Sequence, residues 1–282
     1  MTALKAGNEG FNANRWFIIS VFLCIIFISA FWKTAFVREV SPIIAVLSIF
    51  IAVMLHGTVR YGIKNILLFF ILTWLVSHFF EALSIHTGFP FGNYFYDKLA
   101  GPRLFDVPLI IMFAYFGTGY ASWILAHVLL EQTNNQLAGK QIILIPLIAS
   151  FIMVMWDLCM DPLCSTVASL WTWKDGGLYF GVPLQNYFGW FFVVYIIYQV
   201  FAVYLSKFDV IDHNKKNIFS SKIFWLEIVA LYFIQGLSQV VQFLAATEHR
   251  DIYGSMALIA VFSMIFVSLI SYLKINDSAQ LS

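Results

Sequence analysis

The feature that most limits what this chain can become is a succession of long apolar runs with almost no charge inside them. Stretches at about 15–32, 40–56, 63–83, 107–130, 141–158, 187–206, 223–246 and 254–273 reach or approach the roughly 20 apolar residues that a bilayer-spanning helix needs. Lipid offers no partner to a backbone N–H or C=O, so such segments are helices. The sequence therefore predicts an all-α, polytopic transmembrane helix bundle of about eight spans. Composition agrees: 61% of the 282 residues are hydrophobic and only 11% are charged, against roughly 25% charged in soluble domains. The expected organisation is a polar N-terminal tail over 1–14, a single transmembrane domain over 15–273 and a short tail over 274–282. "SP" at 41–42 and "FDVP" at 105–108 read as helix starts, a polar cap followed by proline.

Eight spans put both termini on one side. Ten of the sixteen Lys and Arg residues fall on that side. The positive-inside rule then places both termini in the cytoplasm and the chain in the inner, cell membrane, with Lys98 and Lys174 on the far side and Lys215 and Lys216 on the near one. The polar first residues lack the short apolar core and small-residue cleavage site of a removed signal peptide. A net charge of +1 points to no nucleic-acid partner. Cys24, Cys159 and Cys164 make no CxxC pair, and Cys24 reads as a small core residue within an apolar run.

Two connections, about 84–106 and 159–186, then lie together on the non-cytoplasmic face. "HTGFPFGNYFYDKLAGPRLFDVP" and "LWTWKDGGLYFGVPLQNYFGW" are rich in Gly, Pro and aromatics and poor in charge. Tryptophan and tyrosine favour the membrane interface, so these loops read either as belts of interfacial aromatics or as a cap over a cavity. Loops this long are more often functional than linking, which favours the cap. Both share an FG step and an NYF triplet, a faint hint of duplication.

Acids at membrane depth are few, and each is costly there, so each is a candidate for function. Glu81 ends the third span in "VSHFFEALSIHTG", and Asp157 ends the fifth in "MVMWDLCMDPLC". Both ends fall on the face that carries the aromatic loops. Asp161 precedes Pro162. Either it caps a short interfacial helix over 162–173, or the helix runs on and Asp157 and Asp161 share a face. Glu227, about one turn into the seventh span, reads as a helix-start acid favoured by the dipole. A carboxyl group in apolar surroundings can keep its proton at neutral pH, and two that share a site divide labour, one protonated and one ionised. Aromatic faces can stabilise a transient cation. Together these are equipment for protonating a carbon–carbon double bond in a lipid-soluble substrate.

Other chemistries fit less well. The six histidines, His56, His78, His86, His127, His213 and His249, lack the HxxxH and HxxHH clusters of membrane di-iron oxygenases. His78, Glu81 and His86 are close along one helix, but no metal is expected. No phosphate-cradling glycine motif or dinucleotide fingerprint is present. A proton-coupled transporter using Asp157 and Glu81 as relays would call for polar residues at several depths, and the centres of these spans are too apolar. A structural protein that only docks a partner through its loops leaves the paired acids unexplained.

"E…TGFPFGNYFY" from Glu81 to Tyr96, then "DLCMDP", "WTW" and "GLYFGVPLQNYFGW" from Asp157 to Trp190, resemble the carotenoid hydratase family, integral membrane proteins that include bacterioruberin-precursor, γ-carotene and lycopene 1,2-hydratases. The resemblance covers roughly residues 60–270; the first span and the tails carry no motif. It implies a cofactor-independent hydro-lyase of carotenoid biosynthesis. Such an enzyme adds water across the terminal C1–C2 double bond of an acyclic end group and leaves a tertiary 1-hydroxy group. The expected partners are the carotenoid and membrane lipid, with no cofactor. The small membrane lycopene cyclases are the near alternative, because they protonate the same bond and then close a ring. On this reading Asp157 or Asp161 donates the proton and Glu81 deprotonates the water. Tyr94, Tyr96, Trp171, Trp173 and Trp190 flank the cation, and Asn93 and Asn186 hold the water.

Overall fold

The computed structural model describes residues 2–32, 34–97, 101–208 and 221–278. Lys33, Lys98, His213, Lys215 and Lys216 lie outside the described residues. The helices are α1 (Thr2–Phe31), α2 (Ala35–Thr87), α3 (Leu109–Leu129), α4 (Gln141–Asp161), α5 (Leu184–Lys207), α6 (Lys222–Ala245), α7 (Arg250–Ala260) and α8 (Phe266–Ser278). A π-helical turn, Val261–Ile265, joins α7 to α8 as one continuous rod. Among the described residues seven helices are long and apolar enough to cross a membrane. The chain is an integral membrane protein.

One of those seven is 49 residues long, Glu39–Thr87. It breaks at Gly62, whose φ of 78° and ψ of 158° only a glycine adopts without strain. The halves on either side match the second and third spans read from the sequence, and about eight spans is the resulting count. Helix starts were less legible. α2 begins six residues before Ser41, where Thr34 Oγ1 accepts from Val37 N at 3.4 Å, so Pro42 lies inside the helix. Asp106 does not cap α3. Arg103–Leu104 (β2) and Val107–Pro108 (β3) form a small hairpin, and Pro108 itself is the N-cap.

α3 is the most enclosed span, with 72% of its membrane window buried, against 28% for α1 at the periphery. Around it the packing is aromatic. Phe69 of α2 stacks on Phe201 of α5 at 4.2 Å and 3°. Buried polar groups are spent between helices, as expected where lipid gives no hydrophobic drive to association. Trp123 Nε1 donates to Tyr61 Oη at 2.9 Å, Tyr198 Oη to the Gly119 carbonyl at 2.9 Å, and Thr118 Oγ1 to Gln235 Oε1 at 3.0 Å. Cys24 is exposed on the outer helix α1 rather than in the core, and all three cysteines are free thiols.

The two aromatic loops meet. Tyr94–Tyr96 (β1) pairs antiparallel with Trp171–Trp173 (β4), in the register Tyr94↔Trp173, Phe95↔Thr172 and Tyr96↔Trp171. Side chains alternate across a strand, so Tyr94, Tyr96, Trp171 and Trp173 share one buried face while Phe95 and Thr172 point out. The loops form a cap. The short helix over 162–173, one of the two alternatives for Asp161, is absent: Pro162–Val167 is a single π turn, closed by Ala168 N to the Leu163 carbonyl at 2.9 Å, and the chain then enters β4. The repeated NYF triplet leads into strand β1 in one loop and lies in helix α5 in the other, so it marks no structural repeat.

Candidate active site

Glu81 lies one and a half turns before the end of α2 and is 3% exposed. Beyond it Gly88 takes the left-handed cap conformation, φ 79°, and its N–H returns to the Ser84 carbonyl. The Ser84 hydroxyl accepts from Phe91 N and donates to the Gly92 carbonyl, each at 3.1 Å. That fold-back carries β1 over the end of its own helix. Tyr94 and Tyr96 then both donate to Glu81 Oε2, the latter at 2.9 Å. Tyr115, from α3, donates to Glu81 Oε1 at 2.7 Å. Burial pushes the Tyr94 and Tyr96 phenols well above the usual phenol range, and the neighbouring Glu81 carboxyl adds to it. Both therefore stay neutral donors.

Asp157 and Asp161 sit one turn apart on α4, each 1% exposed. Asp161 has helical φ and ψ of −58° and −49° and makes no capping bond, so the continuous-helix alternative is the one realised. Pro162 has no N–H to give, and the π turn that follows accommodates it without ending the helix. Asn186, in the first turn of α5, donates through Nδ2 to Asp157 Oδ2 at 3.0 Å and to Asp161 Oδ2 at 2.8 Å. One amide thus bridges both acids. Trp171 and Trp173 donate from Nε1 to Asp161 Oδ1 at 3.1 and 3.3 Å. Asp157 Oδ1 is buried and has no hydrogen-bond partner.

The three carboxyls line one cavity of about 40 Å³. Trp190 stacks on Tyr115 at 4.2 Å and 7°, and Trp156 meets the same indole edge-on at 6.0 Å. No Lys, Arg or His is among the described residues that line the cavity. α5 approaches the cap closely because Gly189 has no side chain; a Cβ there would lie 2.7 Å from the Pro90 carbonyl oxygen.

Nine of the ten residues singled out from the sequence line this cavity: Glu81, Asp157, Asp161, Tyr94, Tyr96, Trp171, Trp173, Asn186 and Trp190. Asn93 does not. It follows the outward turn before β1 and donates to Asp175 Oδ2 at 2.7 Å in an exposed clasp between the loops. Asn186, expected to hold the water, donates to two carboxyls. Tyr115 was missed, being one of several rings in an apolar helix with nothing local to set it apart. His86 is 3.9 Å from Asp106, and the oxygens of Glu81 are occupied by phenols, so His78, Glu81 and His86 do not assemble. Among the described residues no group of three His, Cys, Asp or Glu is placed to hold a metal ion.

Fold and site define the class: a polytopic membrane protein with a buried cluster of carboxyls under an aromatic cap. The family pattern of a carotenoid biosynthesis protein matches residues 40–270, and the chain belongs to that family. Over 117 residues it is 32% identical to the bisanhydrobacterioruberin hydratase of Haloarcula japonica, a match that covers 41% of this chain and 38% of that protein. The chain thus spans well under half the length of the curated relative it matches. No solved structure matches.

Proposed function

We propose that the chain is a carotenoid hydratase that adds water across the terminal C1–C2 double bond of an acyclic carotenoid end group. The observation that carries this reading is the unequal treatment of three carboxyls around one cavity. Glu81 receives three phenol donors, the environment of an ionised acceptor. Asp157 and Asp161 share one amide, and two carboxyls in such a site retain a proton between them. Asp157 keeps one oxygen unengaged, the position from which a proton can be delivered.

The Asp157 proton passes to C2 of the end group, and the electron pair of the double bond forms the new C–H bond. Positive charge develops at the tertiary C1, facing the indoles and phenols of the cap. Water supplies its oxygen to C1 and loses a proton to Glu81. One proton has left Asp157 and one has reached Glu81; its return through the shared cavity restores the site. The sum is addition of one water, so the chemistry itself calls for no redox partner. The name of the Haloarcula japonica relative is in keeping with this reaction.

The test is isotopic. Membranes containing the chain, given an acyclic carotenoid in ¹⁸O-labelled water without oxygen gas, should place the label in the new hydroxyl. In deuterated water one deuterium should appear at C2. Label arriving from oxygen gas instead would move the protein to the hydroxylases and end the proposal.

A further inference from the structure

Water fits the cavity as it stands, since a site of this measure needs only about 10–15 Å³ for one molecule. An isoprenoid end is bulkier, with two methyl groups on C1 beside the double bond, and it has to reach the cavity from the lipid. One wall has to yield. Of the fifteen lining residues eleven are buried, and the cavity is not closed all round. The four that are only half-buried are Ile111, Ala114, Trp156 and Met160. All four are apolar, and they come from two helices. Ile111 and Ala114 lie three apart at the start of α3, and Trp156 and Met160 lie four apart at the end of α4, so each pair forms one stripe. Trp156 immediately precedes Asp157, and Met160 immediately precedes Asp161. The unsealed wall therefore stands beside the two aspartates.

We infer that the gap between the start of α3 and the end of α4 is the lateral mouth through which the isoprenoid end passes from the lipid to the acids, with Ala114 setting its width. The inference rests on the carotenoid reading above. The side-chain types suit the task. Methionine adapts its shape to passing apolar groups. Trp156 touches its neighbour Trp190 only edge-on, unlike the flat Tyr115–Trp190 stack behind it, so it is the ring free to swing. Ala114 is the smallest residue of the wall, and any larger side chain there fills the opening. The polyene remainder stays in the bilayer, which accounts for a small cavity serving a long substrate.

The test separates entry from chemistry by measuring binding in a chain that does not turn over. Detergent-solubilised Asp157→Asn protein is incubated with lycopene, and the retained polyene is read from its visible absorbance. Adding Ala114→Trp should weaken retention roughly tenfold or more. Adding Ile143→Trp, on the exposed side of α4 away from the cavity, should not change it. Should tryptophan at 114 impair folding, the plug can be installed afterwards: Ala114→Cys is alkylated with a bulky lipid-soluble maleimide in the folded protein. The parent chain, which labels at exposed Cys24, is the blank. Undiminished retention with either plug overturns the mouth and leaves the hydratase reading standing. No retention even in Asp157→Asn alone overturns both.

Discussion

Two regions of this molecule bury acids at membrane depth, and they treat them in opposite ways. At the loop end, Glu81, Asp157 and Asp161 surround a cavity with no cation among the described residues of its wall. Toward the other end of α3, Glu227 is buried just as deeply, 1% exposed, but Arg15 of α1 grips it with two hydrogen bonds, Nε to Oε2 at 2.5 Å and Nη2 to Oε1 at 3.1 Å. Close by, His56 lies between Tyr120 Oη at 2.7 Å and the Phe224 carbonyl at 2.9 Å, and the Arg60 guanidinium lies 4.5 Å from the Trp225 ring centre. In the second region charge is matched by charge and the helices α1, α2, α3 and α6 are tied together. In the first, carboxyls meet only neutral donors and one another, around open space. The fold gains little from such an arrangement, and the chemistry of proton transfer gains much. On the proposed function, what answers a buried acid, not its depth, separates the structural acid from the catalytic ones.

The largest expected effect comes from removing titratable protons at the loop end. Asp157→Asn keeps shape and hydrogen-bonding capacity, and turnover should fall by ~10²–10⁴-fold, the usual contribution of a general acid. Its melting temperature should hold or rise, because one of two carboxyls sharing an amide is gone. Asp161→Asn should also impair turnover, since Asp161 caps no helix. Glu81→Gln should stop hydration while leaving protonation possible, so the stranded cation loses a proton or closes a ring and traces of isomerised or cyclised carotenoid appear. Product analysis by chromatography reads all three. Full activity in both Asp157→Asn and Glu81→Gln would erase the distinction between the regions.

Glu227→Gln should do the reverse. Breaking a buried ion pair by neutralising one partner costs about 3–5 kcal/mol. The variant should melt several degrees lower, with α1 loosened from α6, while the surviving folded fraction turns over at the normal rate per molecule. A normal melting curve with lost turnover would place Glu227 in the chemistry and collapse the contrast.

The sequence exposed one region much better than the other, for physical reasons. Apolar runs are continuous signals, so the spans were legible. Glu81, Asp157 and the aromatic loops stood out because acids and Gly–Pro–aromatic clusters interrupt those runs at the same depth. The β1–β4 pair was hidden because three residues are too short for a period of two to declare itself, although Y-F-Y and W-T-W do alternate. In the sequence Glu227 looks like a helix-start acid because its partner is 212 residues away, beyond any local pattern. Asn93 shows the converse: its neighbours in sequence enter the cavity, but the turn before β1 sends its own side chain outward to Asp175. Depth along a helix can be counted from sequence; direction out of a loop cannot.

The smallest effect probes how finely the loop-end region is built. Tyr115→Phe deletes one of three donors to Glu81 and keeps the ring that stacks on Trp190. A hydrogen bond to a charged group contributes ~1.5–3 kcal/mol, but Tyr94 and Tyr96 still hold the other oxygen and cavity water can approach the vacated one. The expected loss is therefore nearer tenfold in turnover than a hundredfold. The two remaining donors do not titrate away: burial holds their phenols above the ordinary value of about 10, so they stay protonated as pH rises through that value. The residual activity of Tyr115→Phe should accordingly show no alkaline decline, up to about pH 10, that wild type lacks. Tyr115→Leu, which also removes the stack against Trp190, should lose more than Tyr115→Phe. Equal losses would mean that the phenol oxygen alone matters, and that the ring contributes nothing to holding the cation's wall in place.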